Sequence, residues 1–506
     1  MNSQFQFTVK GNLIDGQFSP PVDPNGEIVS RCPGDHADEI GRFRYSYADI
    51  DRAVTAARGA FTAWRKTKLE ERVALLKKYQ EGLRRRQDEL VEMISREVGK
   101  PKWECKGEVS TMINKVDVTV GESLKLIAGA RIPNIMDGVD GSYHYRPHGV
   151  MLVLGPFNFP GHLPTGHILP ALMTGNTVIF KPSEKTPMVG QLVAEIIAEA
   201  GFPAGVFNLV QGEKEVGRRL VVHEGINGIL FTGSNEVGAR IKQDTLAQHW
   251  KILALEMGGK NPAIVWEDAD LDVALPEILF GAYVTAGQRC SATSRVIVHK
   301  SKAEEFVSRF HERAKAFSIG HPLDDPFMGP VIDSSVVDRY LKFMAIAGRE
   351  GFEVVMRGKA LKLDHPGNYV APSLCWAREM SPDAARKSVY QQTELFAPNI
   401  GIVEASEPEE AVALANATQY GLVASVFTRS RALYQKMAED IEAGLINWNK
   451  TTVGASSRLP FGGIRKSGNH VPAALFSTYY CGYPVASLEA ENPKVEPAKI
   501  PGLNWV

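Results

Sequence analysis

Gly228-Ile229-Leu230-Phe231-Thr232-Gly233-Ser234-Asn235-Glu236-Val237-Gly238 reads as a short apolar run, a turn and the start of a helix. The run fits a buried strand. Gly233 permits the tight turn, and a helix opening at Asn235 leaves N–H groups free to meet a pyrophosphate. Alone, the segment is equally well explained by a plain turn and helix cap, because it lacks the usual GxGxxG. Its neighbours decide the fold. Upstream, 150–154, 177–180 and 206–210 are similar strand-like runs, separated by helical stretches near 165–173, 188–200 and 215–223. Strands alternating with amphipathic helices predict a parallel sheet covered on both faces, an α/β architecture of the nucleotide-binding type.

Beyond Glu256 the alternation resumes with 263–266, a helix across 270–285 and a strand at 295–299, and continues to about Asn447. A second α/β domain follows, and the cleft between the two is the expected site. Residues 1–47 read as an irregular arm with a few short strands, and 47–127 as helical. A hairpin is expected within 132–150. The tail after Lys466, with its β-prone Thr478-Tyr479-Tyr480, reads as an arm that pairs with a neighbouring subunit.

At 506 residues the chain exceeds what one core usually supports. Apolar residues make up 44% and charged residues 23%, and 57 basic against 58 acidic side chains leave a formal charge of -1. That balance gives no support to nucleic-acid binding. Neither a signal peptide nor a membrane span is expected. The five cysteines have no framework spacing, which suits reduced thiols in a cytoplasmic protein, and no metal site is expected.

Chemistry is suggested by four short segments. Gly287-Gln288-Arg289-Cys290-Ser291 sets a thiol beside a glycine, and Leu255-Glu256-Met257-Gly258-Gly259-Lys260 does the same for a carboxylate. Together they make a nucleophile and base pair, although a cysteine alone is more often a small core residue. Asn158, in Gly155-Pro156-Phe157-Asn158-Phe159-Pro160, is held rigidly enough to serve as an oxyanion donor, or equally to cap the next helix. Lys181-Pro182-Ser183-Glu184 follows a strand, where a Lys and a Glu reach ribose hydroxyls; Glu184 would repel a 2′-phosphate and so favours NAD over NADP.

In this order, and with Glu394-Leu395-Phe396-Ala397-Pro398 and Pro460-Phe461-Gly462-Gly463 added, these segments resemble the NAD(P)-dependent aldehyde dehydrogenase family over nearly the whole chain. The resemblance implies that family's fold: a Rossmann-like cofactor domain (1–127 and 146–255), an α/β catalytic domain (256–447) and a small β oligomerisation arm (128–145 and 467–506). It implies NAD as cofactor, a small-molecule aldehyde as substrate, and a homodimer or homotetramer. Cys290 would attack the aldehyde, Asn158 would hold the oxyanion, and Glu256 would activate water. Lys181, Ser183, Glu184, Gly233, Ser234, Asn235, Glu236, Val237, Gly238, Glu394 and Phe396 would bind the cofactor. Ala397 and Phe157 stand where the family commonly has Gly and Trp.

Within the family the likeness is to the enzymes that oxidise N-succinylglutamate semialdehyde in arginine catabolism. It is carried by Phe159-Pro160-Gly161-His162-Leu163-Pro164, Leu445-Ile446-Asn447-Trp448-Asn449-Lys450 and Ser467-Gly468-Asn469-His470. Such a substrate carries several carboxylates, and Arg289, Ser291, Lys450 and Arg458 are the candidates to bind them. The alternatives are another carboxylated or aliphatic aldehyde, or a catalytically idle protein on this fold.

Overall fold

Two seven-stranded sheets divide the chain in the computed structural model, which describes residues 5–491 and Gly502. The first sheet runs in the order Ile252–Glu256, Gly228–Thr232, Val150–Leu154, Thr177–Lys181, Phe207–Leu209, Asn12–Ile14 and Gln17–Ser19. Its first five strands are parallel, and the last two join antiparallel at the edge. Every residue of Gly228–Thr232 and Thr177–Lys181 is buried, as strands covered on both faces require. The second sheet runs Glu353–Met356, Ser373–Ala377, Asn399–Ala405, Thr293–His299, Asn261–Val265, Val423–Phe427 and Leu445–Trp448. Only Glu353–Met356 is antiparallel there. Each sheet has its own apolar core. Both sheets are of the α/β kind expected from the alternating strands and helices.

The helical stretch after Tyr47 forms four α-helices, Ala48–Trp64, Leu69–Arg85, Gln87–Val98 and Lys102–Val118. The N-terminal region is more regular than expected. Gly26–Cys32 pairs with the long strand Asp35–Tyr45, burying Ile28, Ser30 and Cys32 while Glu27, Val29 and Arg31 face out. The helix expected over 270–285 is Leu271–Tyr283, because Thr285, Ala286 and Gly287 all turn left-handed, with φ of 58°, 52° and 69°.

The hairpin Ala130–Met136 and Val139–Pro147 forms as expected, and Gly482–Glu489 completes a three-stranded sheet with it. Thr478-Tyr479-Tyr480 is not a strand. It lies in a 3-10 segment, Leu475–Cys481, pinned by bonds from the Thr478 hydroxyl to the Ser123 carbonyl (2.7 Å) and between Tyr480 and His167 (2.8 Å). These long-range bonds outweigh local β-propensity. Ser467–Asn469, grouped with the arm on sequence, runs beside Glu256 instead: Met257 donates to the Ser467 carbonyl at 2.9 Å, and Asn469 bonds both Leu253 and Leu255. The tail's residues 492–501 and 503–506 lie outside the described residues. No helix among the described residues is long and apolar enough to cross a membrane.

Candidate active site

Cys290 follows the left-handed run by three residues. Two non-glycine residues in that region cost about 1–3 kcal/mol each, so the turn must be held by its surroundings. Glu104, on the Lys102–Val118 helix, does this. Its carboxylate accepts from the Thr285 N–H (3.2 Å), from the Thr285 hydroxyl and from Arg289 Nη2 (3.0 Å). Arg289 Nε also donates to the Thr285 hydroxyl at 2.7 Å. From the other side, Asn261 Nδ2 donates to the carbonyls of Cys290 (2.8 Å) and Ala292 (2.9 Å). Gly259 is required here, because a Cβ on it would lie 2.5 Å from the Cys290 carbonyl oxygen.

Asn158 lies on the loop after Val150–Leu154 and donates through Nδ2 to the Gln288 carbonyl at 2.9 Å. It does not cap the helix His162–Met173. Glu108 does so, accepting from the Gly161 and His162 N–H groups at 2.9 and 3.0 Å. Glu108 is itself paired with the buried Lys100, whose ammonium donates to the Asn158 carbonyl at 2.9 Å. One helix therefore braces both loops, with carboxylates a single turn apart.

Glu256 ends the last strand of the first sheet. Its Oε2 is buried with no hydrogen-bond partner, and a Cβ on Gly462 would stand 2.9 Å from Oε1. Burial raises its pKa well above the ordinary carboxylate value. Burial, then the nearby charges of Glu394 and Glu256, pushes the Cys290 thiol up to about 12. Burial thus favours the neutral form of both groups. They line a single cavity of about 380 Å³, whose aromatic lining includes Trp103, Phe159, Phe280 and Phe461.

The residues expected at a dinucleotide sit at strand ends of both sheets. Lys181 is buried at the end of its strand; its ammonium donates to the Pro182 carbonyl at 2.9 Å and lies 4.0 Å from Glu184, leaving N–H groups for a sugar hydroxyl. Glu184 lines a cavity of about 360 Å³ with Lys185 and Glu213, and Ser183 accepts from the Lys185 N–H at 3.2 Å. Gly233 donates to the Glu256 carbonyl at 3.0 Å, and Ser234 caps the helix Asn235–Asp244 by accepting from Val237. Asn235 donates to the Lys466 carbonyl at 3.0 Å, Gly238 packs on Met257, and Glu236 and Val237 are exposed. Glu394 accepts from the Gly259 N–H at 3.0 Å and presses against Gly258, where any Cβ would collide with the carboxylate. Phe396 is left-handed (φ 55°) and meets Phe157 edge-on, with ring centroids 5.8 Å apart. A Lys–Glu pair at one strand end, a glycine turn opening a helix and a fixed carboxylate near the thiol fit a dinucleotide that reaches Cys290.

Residues 22–479 match the model of the aldehyde dehydrogenase family. The chain belongs to that family. This aldehyde dehydrogenase is 40% identical to N-succinylglutamate 5-semialdehyde dehydrogenase of Chromobacterium violaceum over 498 residues, covering 97% of this chain and 99% of that one. To the protein of the same name from Caulobacter sp. it is 41% identical over 516 residues, with the same coverage. Its fold superposes on 1-pyrroline-5-carboxylate dehydrogenase from Thermus with bound NAD at a TM-score of 0.89 and 33% identity, covering 95% of this chain and 93% of that one.

The aldehyde dehydrogenase cavity separates the four substrate candidates. Arg289 and Ser291 line it. Arg289 already spends Nε and Nη2 on Thr285 and Glu104, so its first task is the nucleophile turn. Lys450 and Arg458 stand outside the lining, exposed and paired with Glu277 and Glu122. Sequence reasoning missed Lys100, Glu104, Glu108 and Lys115. Their spacing of 104, 108 and 115 on one helix face was a signal, but polar residues at that period also describe an ordinary solvated face.

Proposed function

We propose that this aldehyde dehydrogenase oxidises N-succinylglutamate 5-semialdehyde to N-succinylglutamate with NAD, a step in arginine catabolism. The reading is carried by one observation: a thiol from the second sheet's turn and a carboxyl from the first sheet's edge share one cavity. The near-full-length likeness to dehydrogenases of that name supports the choice of substrate.

In the proposed reaction the Cys290 thiol gives its proton to solvent water, and the thiolate attacks the aldehyde carbon, giving a thiohemiacetal oxyanion. The second Nδ2 hydrogen of Asn158 and the Cys290 N–H hold this oxyanion. A nicotinamide bound there would supply the hydride acceptor, and loss of hydride from the thiohemiacetal carbon would leave a thioester on Cys290. Glu256 then takes a proton from water, the resulting hydroxide attacks the thioester carbon, the C–S bond breaks to release the acid, and Glu256 returns its proton to the Cys290 thiolate. Lys181, Ser183 and Glu184 would hold the adenosine ribose, the turn from Gly233 to Gly238 the pyrophosphate, and Glu394 with Phe396 the nicotinamide ribose and ring. Glu184 favours NAD over NADP, since its carboxylate would face a 2′-phosphate.

A homodimer or homotetramer belongs to the same proposal. Ala130–Met136 is an edge strand exposed along its whole length, with Ile132, Ile135 and Met136 facing out, and light scattering tests it. A cytoplasmic setting suits the five free cysteines, and cell fractionation tests that.

The deciding experiment follows NADH formation with N-succinylglutamate semialdehyde, succinate semialdehyde, glutamate semialdehyde and propanal. A kcat/KM at least about tenfold above the others for the succinylated aldehyde, roughly 1.4 kcal/mol of selectivity, supports the assignment. A flat profile assigns a general aldehyde dehydrogenase instead.

A further inference from the structure

The Lys102–Val118 helix lines the catalytic cavity with a stripe at helical spacing: Glu104, Gly107, Glu108, Thr111 and Lys115. Both carboxylates of the stripe are matched, Glu104 by Arg289 at 3.0 Å and Glu108 by Lys100. Lys115 is not matched by an acid. Its side chain is buried, with the residue only 1% exposed, and its ammonium donates to the Ala474 carbonyl at 2.7 Å. Among the described residues it has no carboxylate within ion-pair distance, although an ammonium has three N–H bonds to give. His162 lines the same cavity, and its Nδ1 is buried without a hydrogen-bond partner. His167, next along that wall, spends both ring nitrogens on Tyr480 and Thr232.

A lone ammonium buried in a protein is costly unless an anion joins it. Here the anion is missing from the chain itself, and the cation faces the space a substrate must fill. We propose that Lys115, with His162 beside it, is the subsite that binds a carboxylate of the aldehyde substrate. The inference rests on the reading above that the substrate is a carboxylated aldehyde, and it moves the recognition task from Arg289, Lys450 and Arg458 to a residue on the helix that braces the catalytic loops.

The chemistry is consistent with both states of the site. With the cavity free of anions, burial pulls the Lys115 pKa down to about 8, so the proton is held less firmly than on an exposed lysine, although the ammonium still predominates at pH 7. An arriving carboxylate favours the charged form and pairs with it in a site of low polarity, where the attraction is stronger than in water. An aldehyde without that carboxylate leaves the ammonium as it was and gains nothing from it. A site built to bond a polar group discriminates against analogues that lack it far better than an apolar pocket does.

The test compares wild type with Lys115→Met and Lys115→Arg on N-succinylglutamate semialdehyde and on propanal. The readout is the ratio of the two kcat/KM values. Loss of the ammonium is expected to lower that ratio by about 50-fold, with Arg restoring much of it. A binding measurement runs beside it: inhibition of propanal oxidation by N-succinylglutamate, whose Ki is expected to rise by a similar factor in the Met variant. If both rates fall together and the ratio and Ki hold, Lys115 only supports the helix and the proposal is overturned. If wild type itself shows no preference for the succinylated aldehyde, the functional reading has failed, an outcome distinct from an unchanged ratio in the variant.

Discussion

Asn158 donates its side-chain N–H to the Gln288 carbonyl at 2.9 Å, which bonds the loop of the first sheet to the turn that carries Cys290. The bond uses one Nδ2 hydrogen and fixes the direction of the other. A donor held in this way needs no reorganisation as charge develops on the substrate oxygen. Asn158→Ala is therefore expected to lower kcat by about 100- to 1000-fold with a smaller change in KM. Steady-state rates check this; equal losses in kcat and in ground-state binding would assign Asn158 to substrate positioning instead.

Glu104 holds a turn that the chain would not adopt by itself. Glu104→Ala would leave the Thr285 N–H without its acceptor and the Arg289 guanidinium without its counter-charge. Breaking a buried pair from one side costs about 3–5 kcal/mol, so urea unfolding should show a loss of that size. Glu104→Gln keeps the shape and one acceptor oxygen and should lose less. In both variants kcat should fall, since Cys290 is aimed by the turn that Glu104 closes.

The reactivity of the thiols offers a third check. Cys32, Cys105, Cys375 and Cys481 are buried, whereas Cys290 is partly exposed to the cavity. A disulfide reagent should label one cysteine in the folded protein and five after denaturation, with the single fast site lost in Cys290→Ala. Because burial pushes that thiol up to about 12, its labelling rate should climb about tenfold per pH unit between pH 7 and 9. A rate flat across that range would mean a thiolate already formed.

Several of these features were legible in the sequence because they are local. The strand and turn at Gly228 to Gly238, and the glycines beside Glu256 and Cys290, declare themselves within a dozen residues. Glu104 could not be read the same way, since its partner Thr285 lies 181 residues further along. Lys115 looked like any charge on a helix, and only its bond to the Ala474 carbonyl, 359 residues away, and its burial at the cavity reveal that its face is covered. Lys450 and Arg458 were chosen for nearness in sequence to site segments, which does not tell which way a side chain points. The left-handed run at Thr285 and Ala286 was equally hidden, because neither residue type prefers that conformation.

In the proposed mechanism Glu256 links stability and catalysis with opposite signs. Burial raises its carboxyl well above the ordinary 4.5, so the folded protein binds this proton more tightly than the unfolded chain does. The stability from this group is complete below about pH 4.5 and is lost as pH rises toward the raised value. Glu256→Gln keeps the neutral form at every pH. Its Tm should therefore match wild type near pH 4.5 and exceed it as pH rises through the raised value of Glu256. Glu97 and Glu394, both pushed up to about 7 by burial, lose stability in the same direction, but they are common to both proteins and cancel in the difference. Catalysis runs the other way, because water is activated only by the ionised carboxylate. Hydrolysis of the thioester in wild type should rise with pH above 4.5, while the Gln variant should accumulate acyl-enzyme after one burst of NADH. Parallel Tm curves for the two proteins would mean that water already reaches the Glu256 carboxylate, and the base would then need no raised pKa to explain its pH profile.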